Sequence, residues 1–228
     1  MSLSVFDLFS IGIGPSSSHT VGPMRAATYF IDSLSKKGLI EQVTRVKSEL
    51  FGSLGATGKG HGSPKAVLMG LEGEHAESVD IAAMPARLSR IREEGVLMLG
   101  GSYSINFNEE EDLVMYRKKS LPYHPNGLCF EAFNEGGESL LKRCYYSVGG
   151  GFVVDQKAAS GDTQIIGDNT VVPYPFTTGA ELLALCEEND LSISDIMMAN
   201  ECVRQSEDQV REGLLKIWQV MQDCVVEG

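Results

Sequence analysis

The feature that most constrains the fold of this chain is a change of pattern at Val154. Before it, helix-like and strand-like stretches alternate; after it, every patterned stretch is helical. A mixed stretch must bury a sheet face under helices, whereas a purely helical one must bury its stripes against other helices. The chain therefore reads as an α+β domain over residues 1–154, a linker over 155–172 and an all-α segment over 173–228. With 228 residues, 43% of them hydrophobic, there is material for one large domain, or for one domain and part of another.

Within the first part, Met24, Ala27, Ile31 and Leu34 recur at three- and four-residue spacing between Thr20 and Lys37, which gives a helix with one buried stripe. Thr20 can cap it, Pro23 suits its first turn and Gly38 closes it. Residues 42–51 read as a strand with Val46 and Leu50 on one face. Gly52 to Gly62 holds five glycines in eleven residues and reads as a loop whose backbone can approach a ligand. Ser63 as N-cap and Pro64 at the first helical position open a second helix. A third runs from Met84 to Glu94 and stops at Gly95. Strands follow at Val96–Leu99, Tyr103–Asn108, Asp112–Arg117 and Leu128–Asn134, the last pairing with Ser139–Val148 across Glu135-Gly136-Gly137. Two strand–helix units and a meander imply a sheet with helices packed against it.

The stretch after Val154 is polar and punctuated by glycine and proline, as a linker is. Beyond it, Thr177 or Thr178 can cap a helix over Gly179–Glu188, with Leu182, Leu183 and Leu185 as its apolar face. Ser192 or Ser194 can cap Asp195–Gln205. Glu207–Val226 carries Val210, Leu214, Ile217, Met221 and Val225 at helical steps. Three such helices make a marginal core by themselves, so this segment reads as the incomplete opening of a larger helical domain.

A formal net charge of −12 disfavours nucleic-acid and anionic-membrane partners. No apolar run approaches the roughly 18 residues of a membrane helix. The N-terminus carries Asp7 and lacks a basic stretch, so it does not read as a signal peptide. The five cysteines, at 129, 144, 186, 202 and 224, are odd in number and widely spaced. They read as free thiols in a reducing cytoplasm, with neither a disulfide framework nor a zinc site.

Several segments have side chains suited to chemistry. Gly14-Pro15-Ser16-Ser17-Ser18-His19-Thr20 sets three hydroxyls and an imidazole before a helix start, where free N–H groups and the helix dipole favour a carboxylate or phosphate. A Ser/Thr-rich cap is the plainer explanation. His61, flanked by glycines, has the exposure and titration range of a general base. The same segment is not a P-loop: Ser53 stands where the motif needs glycine, and Gly60 follows Lys59 where a hydroxyl is needed. His124 lies between Pro122 and Pro125, which stiffen its backbone. His75 sits among carboxylates as a solvated residue. Tyr145–Phe152 ends in three glycines, either for close approach or as a flexible strand exit. Asn200-Glu201 can point into a site or into water.

Together, VFDLFSIGIGPSSSHTVGPMRAA, GATGKGHGSPKAVLMGLEG, LPYHPNG and YYSVGGGF resemble the β-domain of the iron–sulfur L-serine dehydratases, and the tail with Asn200-Glu201 is similar to the start of their catalytic α-domain. The resemblance implies conversion of L-serine to pyruvate and ammonia by α,β-elimination, in the cytoplasm, as part of amino-acid catabolism and gluconeogenesis. It implies a 4Fe–4S cluster as Lewis acid and no pyridoxal phosphate. It implies catalytic roles for His61 and His19, with His61 favoured as base and His19 as a donor, while His124 stays open as a third candidate. Ser16, Ser17, Ser18, Thr20, Gly62, His124 and Ser147 are the substrate-binding set it implies. It also implies a homodimer and a partner α-domain whose cysteines hold the cluster. None of the five cysteines here lies in such a motif, so this chain alone is expected to be an inactive, truncated portion with no metal ligand of its own. The alternative is a regulatory module that binds serine or a small anion without catalysis, as related domains do in some phosphoglycerate dehydrogenases.

Overall fold

The computed structural model describes residues 4–9, 11–159 and 170–227. The chain forms two compact units: residues 12–164, and residues 1–11 with 165–228. Most of the linker expected over 155–172 lies outside the described residues. The first helical turn, α1 (Val5–Leu8), belongs to the smaller unit.

The larger unit runs α2 (Val21–Lys36), a 3-10 turn at Ile40–Gln42, β1 (Arg45–Phe51), α3 (Gly52–His61), α4 (Ser63–Leu71), α5 (Met84–Glu94), β2 (Val96–Leu99), β3 (Tyr103–Asn106), α6 (Glu109–Asp112), β4 (Leu113–Tyr116), β5 (Gly127–Phe133), β6 (Ser139–Gly149), β7 (Phe152–Asp155) and α7 (Gln156–Ala159). Its sheet has the order β4-β1-β5-β6-β7. β1 is parallel to β4 and antiparallel to β5; the other pairs are antiparallel. The two strand–helix units of the sequence reading reduce to one crossover from β1 to β4, because β2 and β3 form a hairpin of their own. The architecture is α+β.

Alternation on β1 buries Val46, Ser48 and Leu50, and β5 adds Leu128, Phe130 and Ala132 opposite them. Met24, Ala27, Phe30, Ile31 and Leu34 of α2, with Ala66 to Met69 and Leu71 of α4, complete the core. α2 and α4 touch closely at Gly70, where a Cβ would strike the Met24 carbonyl oxygen and Ala27. Glu72, buried at the end of α4, accepts from Arg87 at 2.7 Å, from Arg90, and from the Met98 N–H at 3.1 Å, which ties α5 and the β2–β3 hairpin to α4.

The glycine-dense loop expected over Gly52–Gly62 is helix α3. Glycine disfavours a helix on its own, but here its absent side chain is what packing requires. A Cβ on Gly55 would meet the carbonyls of Tyr116 and Leu50, and one on Gly58 would lie 2.8 Å from Ser63 Oγ. The opening N–H groups of α3 need no capping side chain, because Gly52 and Ser53 donate to the carbonyls of Lys119 and Pro125 at 2.7 and 2.9 Å.

Two expected caps also differ. Thr20 occupies the N-cap of α2, yet its hydroxyl turns back to the carbonyls of Ile13 and Ser16. Gly62, at φ 82°, precedes Ser63, which is the first residue of α4. Strand β1 starts at Arg45, after the 3-10 turn, and Asp112 holds Arg45 at 2.6 Å in place of opening a strand. The triple glycine is a hairpin turn into β7: Gly149, Gly150 and Gly151 all have positive φ, which side chains resist.

The cysteine reading needs correction. Cys129 and Cys144 face each other in the β5–β6 register and form a disulfide, while Cys186, Cys202 and Cys224 are free. A hairpin brings together positions that look remote in the sequence. The chain denatured without reductant is expected to titrate three thiols, and five after reduction. Five without reductant would remove the bridge.

In the smaller unit, α8 (Gly179–Asn189), α9 (Ile193–Glu201) and α10 (Glu207–Glu227) begin near the expected residues. Thr178 with Glu181, and Ser192 with Asp195, form capping boxes. Asn200 and Glu201 point inward. Asn200 brackets the Tyr174 backbone, and Glu201 accepts from Ser4 Oγ at 2.7 Å and Val5 N at 2.8 Å. Val210 is buried, but Leu214, Met221 and Val225 on the same helix, and Leu183 on α8, are exposed.

Candidate functional site

The site is built where the 14–20 turn meets α3. The turn is wound tightly around Ser16, whose carbonyl accepts from the N–H groups of His19 and Thr20 at 3.0 and 2.9 Å and from Thr20 Oγ1 at 2.6 Å. From the other side, Ser63 Oγ donates to the His19 carbonyl at 2.6 Å. Ser53, Thr57 and His61 follow at four-residue steps along α3, so they share one face.

His19 is 8% exposed and hydrogen-bonded at both ring nitrogens. Its Nδ1 lies 3.0 Å from Ser18 Oγ, with Ser16 Oγ at 3.5 Å. Its Nε2 lies 3.1 Å from Thr57 Oγ1 and 3.2 Å from Ser53 Oγ. Thr57 Oγ1 commits its proton to the Ser53 carbonyl at 2.9 Å, so toward His19 it can only accept. Nε2 therefore carries the proton, and Nδ1 accepts from Ser18. Burial, followed by the charge of His61, pulls the His19 pKa below its ordinary 6.5, against hydrogen bonding at Ser53 that raises it.

The sign of that shift yields a stability prediction. The folded state binds the His19 proton less readily than the unfolded chain, so stability is full above the unfolded value of 6.5 and falls as pH drops through it toward the folded pKa. Melting temperature is expected to rise from pH 5 to pH 7.5, and His19→Gln should flatten part of that rise. An unchanged slope would show that His19 does not contribute to it.

His61 is half-buried, its ring centroid 4.8 Å from that of His19 and tilted by 42°. Its Nδ1 lies 3.0 Å from the Thr57 carbonyl oxygen. A carbonyl only accepts, so Nδ1 carries the proton and Nε2 presents its lone pair, with no hydrogen-bond partner among the described residues.

Ser17 is exposed, and its carbonyl accepts from Gly22 N–H at 2.9 Å. The hydroxyl of Thr20 is taken by the turn's own carbonyls. Gly62 N–H is spent on the end of α3, including the Lys59 carbonyl. His124 Nδ1 accepts from Asn126 N–H at 3.1 Å, and the adjoining Pro125 carbonyl holds Ser53 N–H. Ser147 N–H donates to the Asn126 carbonyl and the Ser147 carbonyl accepts from Asn126 Nδ2, while Ser147 Oγ and Asn126 Oδ1 are buried without a hydrogen-bond partner among the described residues. Gly22 leaves room for Ser147, since any Cβ there would overlap the hydroxyl. His75 is exposed.

Ser53, Thr57, Ser63 and Asn126 are not among the site residues expected from the sequence, where Ser63 enters as a helix cap and Ser53 as the residue that breaks the P-loop pattern. The i, i+4, i+8 spacing of Ser53, Thr57 and His61 was the available signal, and it becomes visible only once the glycine-rich segment is taken as helix. No group of three or more His, Cys, Asp or Glu side chains converges as a metal site among the described residues. With Cys129 and Cys144 paired, these residues do not fit an iron–sulfur cluster.

A family model described as serine dehydratase beta chain matches residues 4–158, a span that includes the 14–20 turn, α3, the 121–126 segment and β6. The chain belongs to the serine dehydratase beta chain family. Among curated members, an L-serine dehydratase of Streptomyces coelicolor is 53% identical over 228 residues, all of this chain and 50% of that protein. L-serine dehydratase 1 of Escherichia coli is 41% identical over 227 residues, 99% of this chain and 49% of its own length. That of Helicobacter pylori is 40% identical over 227 residues, again 49% of its length. The chain thus spans about half the length of these curated relatives. No helix among the described residues is long and apolar enough to cross a membrane.

Proposed function

We propose that this chain supplies the substrate-side residues of an L-serine dehydratase, a lyase that converts L-serine to pyruvate and ammonia. The reading is carried by two imidazoles 4.8 Å apart, one saturated with hydrogen bonds and one with a free lone pair, beside a turn rich in hydroxyls. α,β-Elimination needs a base for the α-proton, donors for the carboxylate and a route for the β-hydroxyl to leave. His61 Nε2 is the base. Ser16 sits on the turn beside the rings and is the carboxylate donor; Ser18, its proton given to His19 Nδ1, and Thr20, its hydroxyl committed, shape the turn. His19 stays neutral and orients Ser18. His124 and Ser147 are both held by Asn126. The aminoacrylate released hydrolyses in water.

A 4Fe–4S cluster, which the family resemblance implies for departure of the hydroxyl, has no ligand set among the described residues. Its ligands belong to the other half of the relatives' length, the α-domain; residues 1–154 correspond to the β-domain and 173–228 to the opening of that α-domain. This chain alone is therefore inactive, and pyridoxal phosphate has no part. A homodimer, a cytoplasmic setting and a place in amino-acid catabolism complete the reading, although the Cys129–Cys144 bridge counts against a strongly reducing compartment.

Full-length protein purified without oxygen is expected to form pyruvate from L-serine, whereas the 228-residue chain forms none. Ser16→Ala should raise KM for serine with little change in kcat. Serine binding to the full-length protein without turnover would replace this reading with a regulatory module.

A further inference from the structure

We infer that Thr57 is a positioning residue that sets the tautomers of both histidines from a single point on α3. The inference rests on the functional reading above for its kinetic consequence but not for its structural content. Thr57 offers two oxygens to two rings. Its hydroxyl oxygen receives His19 Nε2 at 3.1 Å, and its carbonyl oxygen receives His61 Nδ1 at 3.0 Å. The hydroxyl's own proton goes to the Ser53 carbonyl at 2.9 Å, one helical turn back, which fixes both the rotamer and the acceptor role.

Two opposite tautomers follow from one residue. His19 is protonated on Nε2 and accepts at Nδ1; His61 is protonated on Nδ1 and free at Nε2. Without the Thr57 hydroxyl, the side-chain partner left to His19 Nε2 among the described residues is Ser53 Oγ, at 3.2 Å, a hydroxyl that can donate as readily as accept. His19 then takes its proton on Nδ1 and donates to Ser18 Oγ, which releases the Ser18 proton toward Ser16 Oγ at 3.2 Å and redirects the carboxylate donor. The carbonyl bond to His61 is untouched by changes to the Thr57 side chain, so the two halves of the role separate by mutation.

Thr57 is exposed, so Thr57→Val replaces the hydroxyl without opening the core. With four histidines in the chain, long-range proton–nitrogen correlation spectra can assign each ring. The wild-type chain is expected to show His19 as the Nε2–H tautomer and His61 as the Nδ1–H tautomer. Thr57→Val should give His19 a mixed or reversed tautomer and leave His61 unchanged, and Thr57→Ser should restore the wild-type pattern. In the full-length holoenzyme, Thr57→Val should lower kcat by roughly 10- to 100-fold, as misplacement of a reacting group does, with KM within about twofold, and Thr57→Ser should recover most of the loss. The inference is overturned by a His19 tautomer that ignores Thr57→Val, by a wild-type His61 protonated on Nε2, or by equal loss of kcat in the Val and Ser variants. If the holoenzyme does not turn serine over at all, the functional reading fails, while the spectra still decide the role of Thr57.

Discussion

Replacing His61 with alanine in the full-length protein is expected to lower kcat for serine deamination by roughly 100-fold or more, the usual loss for a general base. KM should change far less, because the carboxylate donor Ser16 lies on a different segment. The expectation depends on the free Nε2 lone pair: the Thr57 carbonyl holds the proton on Nδ1, and no hydrogen bond among the described residues occupies the other nitrogen. His19 lacks that freedom, since both of its nitrogens are engaged and burial holds its pKa down. Steady-state pyruvate formation under anaerobic conditions decides the matter. Near-normal turnover by His61→Ala would remove His61 from the role. His61 ends α3 directly before the left-handed Gly62 and is half-buried, so its loss should leave the melting temperature nearly unchanged.

The largest expected effect on stability is at Phe130. This side chain is fully buried on the core face of β5, stacked on Phe30 at 5.4 Å and tilted against Tyr145 at 6.1 Å. It joins α2 to the middle of the sheet, and both elements carry the site: α2 begins at the 14–20 turn, and β6, beside β5, carries Ser147. Phe130→Ala should cost about 3–5 kcal/mol, the sum of lost transfer energy and an unfilled cavity. For a unit of this size that corresponds to a fall in melting temperature of roughly 10 °C or more. Phe130→Leu, which leaves a smaller void, should cost clearly less. Equal melting temperatures for the Ala variant and the wild type would mean that the core does not close over this position as described.

Much of the architecture is legible in local pattern. The stripe of Met24, Ala27, Ile31 and Leu34 marks α2 because a helix buries every third or fourth residue wherever it packs. Met84–Glu94 is bounded by its own termini, with Pro85 in the first turn and Gly95 in the left-handed region at the end. Glu135-Gly136-Gly137 joins β5 to β6, and Thr178 and Ser192 announce their helices through capping boxes that close within four residues. The 14–20 turn and His61 stand out because hydroxyls and an imidazole cluster before a helix start, and because glycine leaves the imidazole unshielded.

Tertiary structure decided the rest, wherever a residue's neighbour is far along the chain. Five glycines between 52 and 62 read as a loop on propensity alone, yet four of them lie in helix α3, where the backbones of β1 and β4 come too close for a side chain at Gly55. Cys129 and Cys144 appear unrelated until the hairpin register sets them face to face. Asn200 and Glu201 give no sign of burial until Tyr174 and Ser4 meet them. His19 and His61 were each visible as single residues, but their separation, tautomers and dependence on Thr57 were not. Local propensity and periodicity are properties of consecutive residues and can be read from them. Close approach, register and proton placement depend on which distant groups the fold brings to one point.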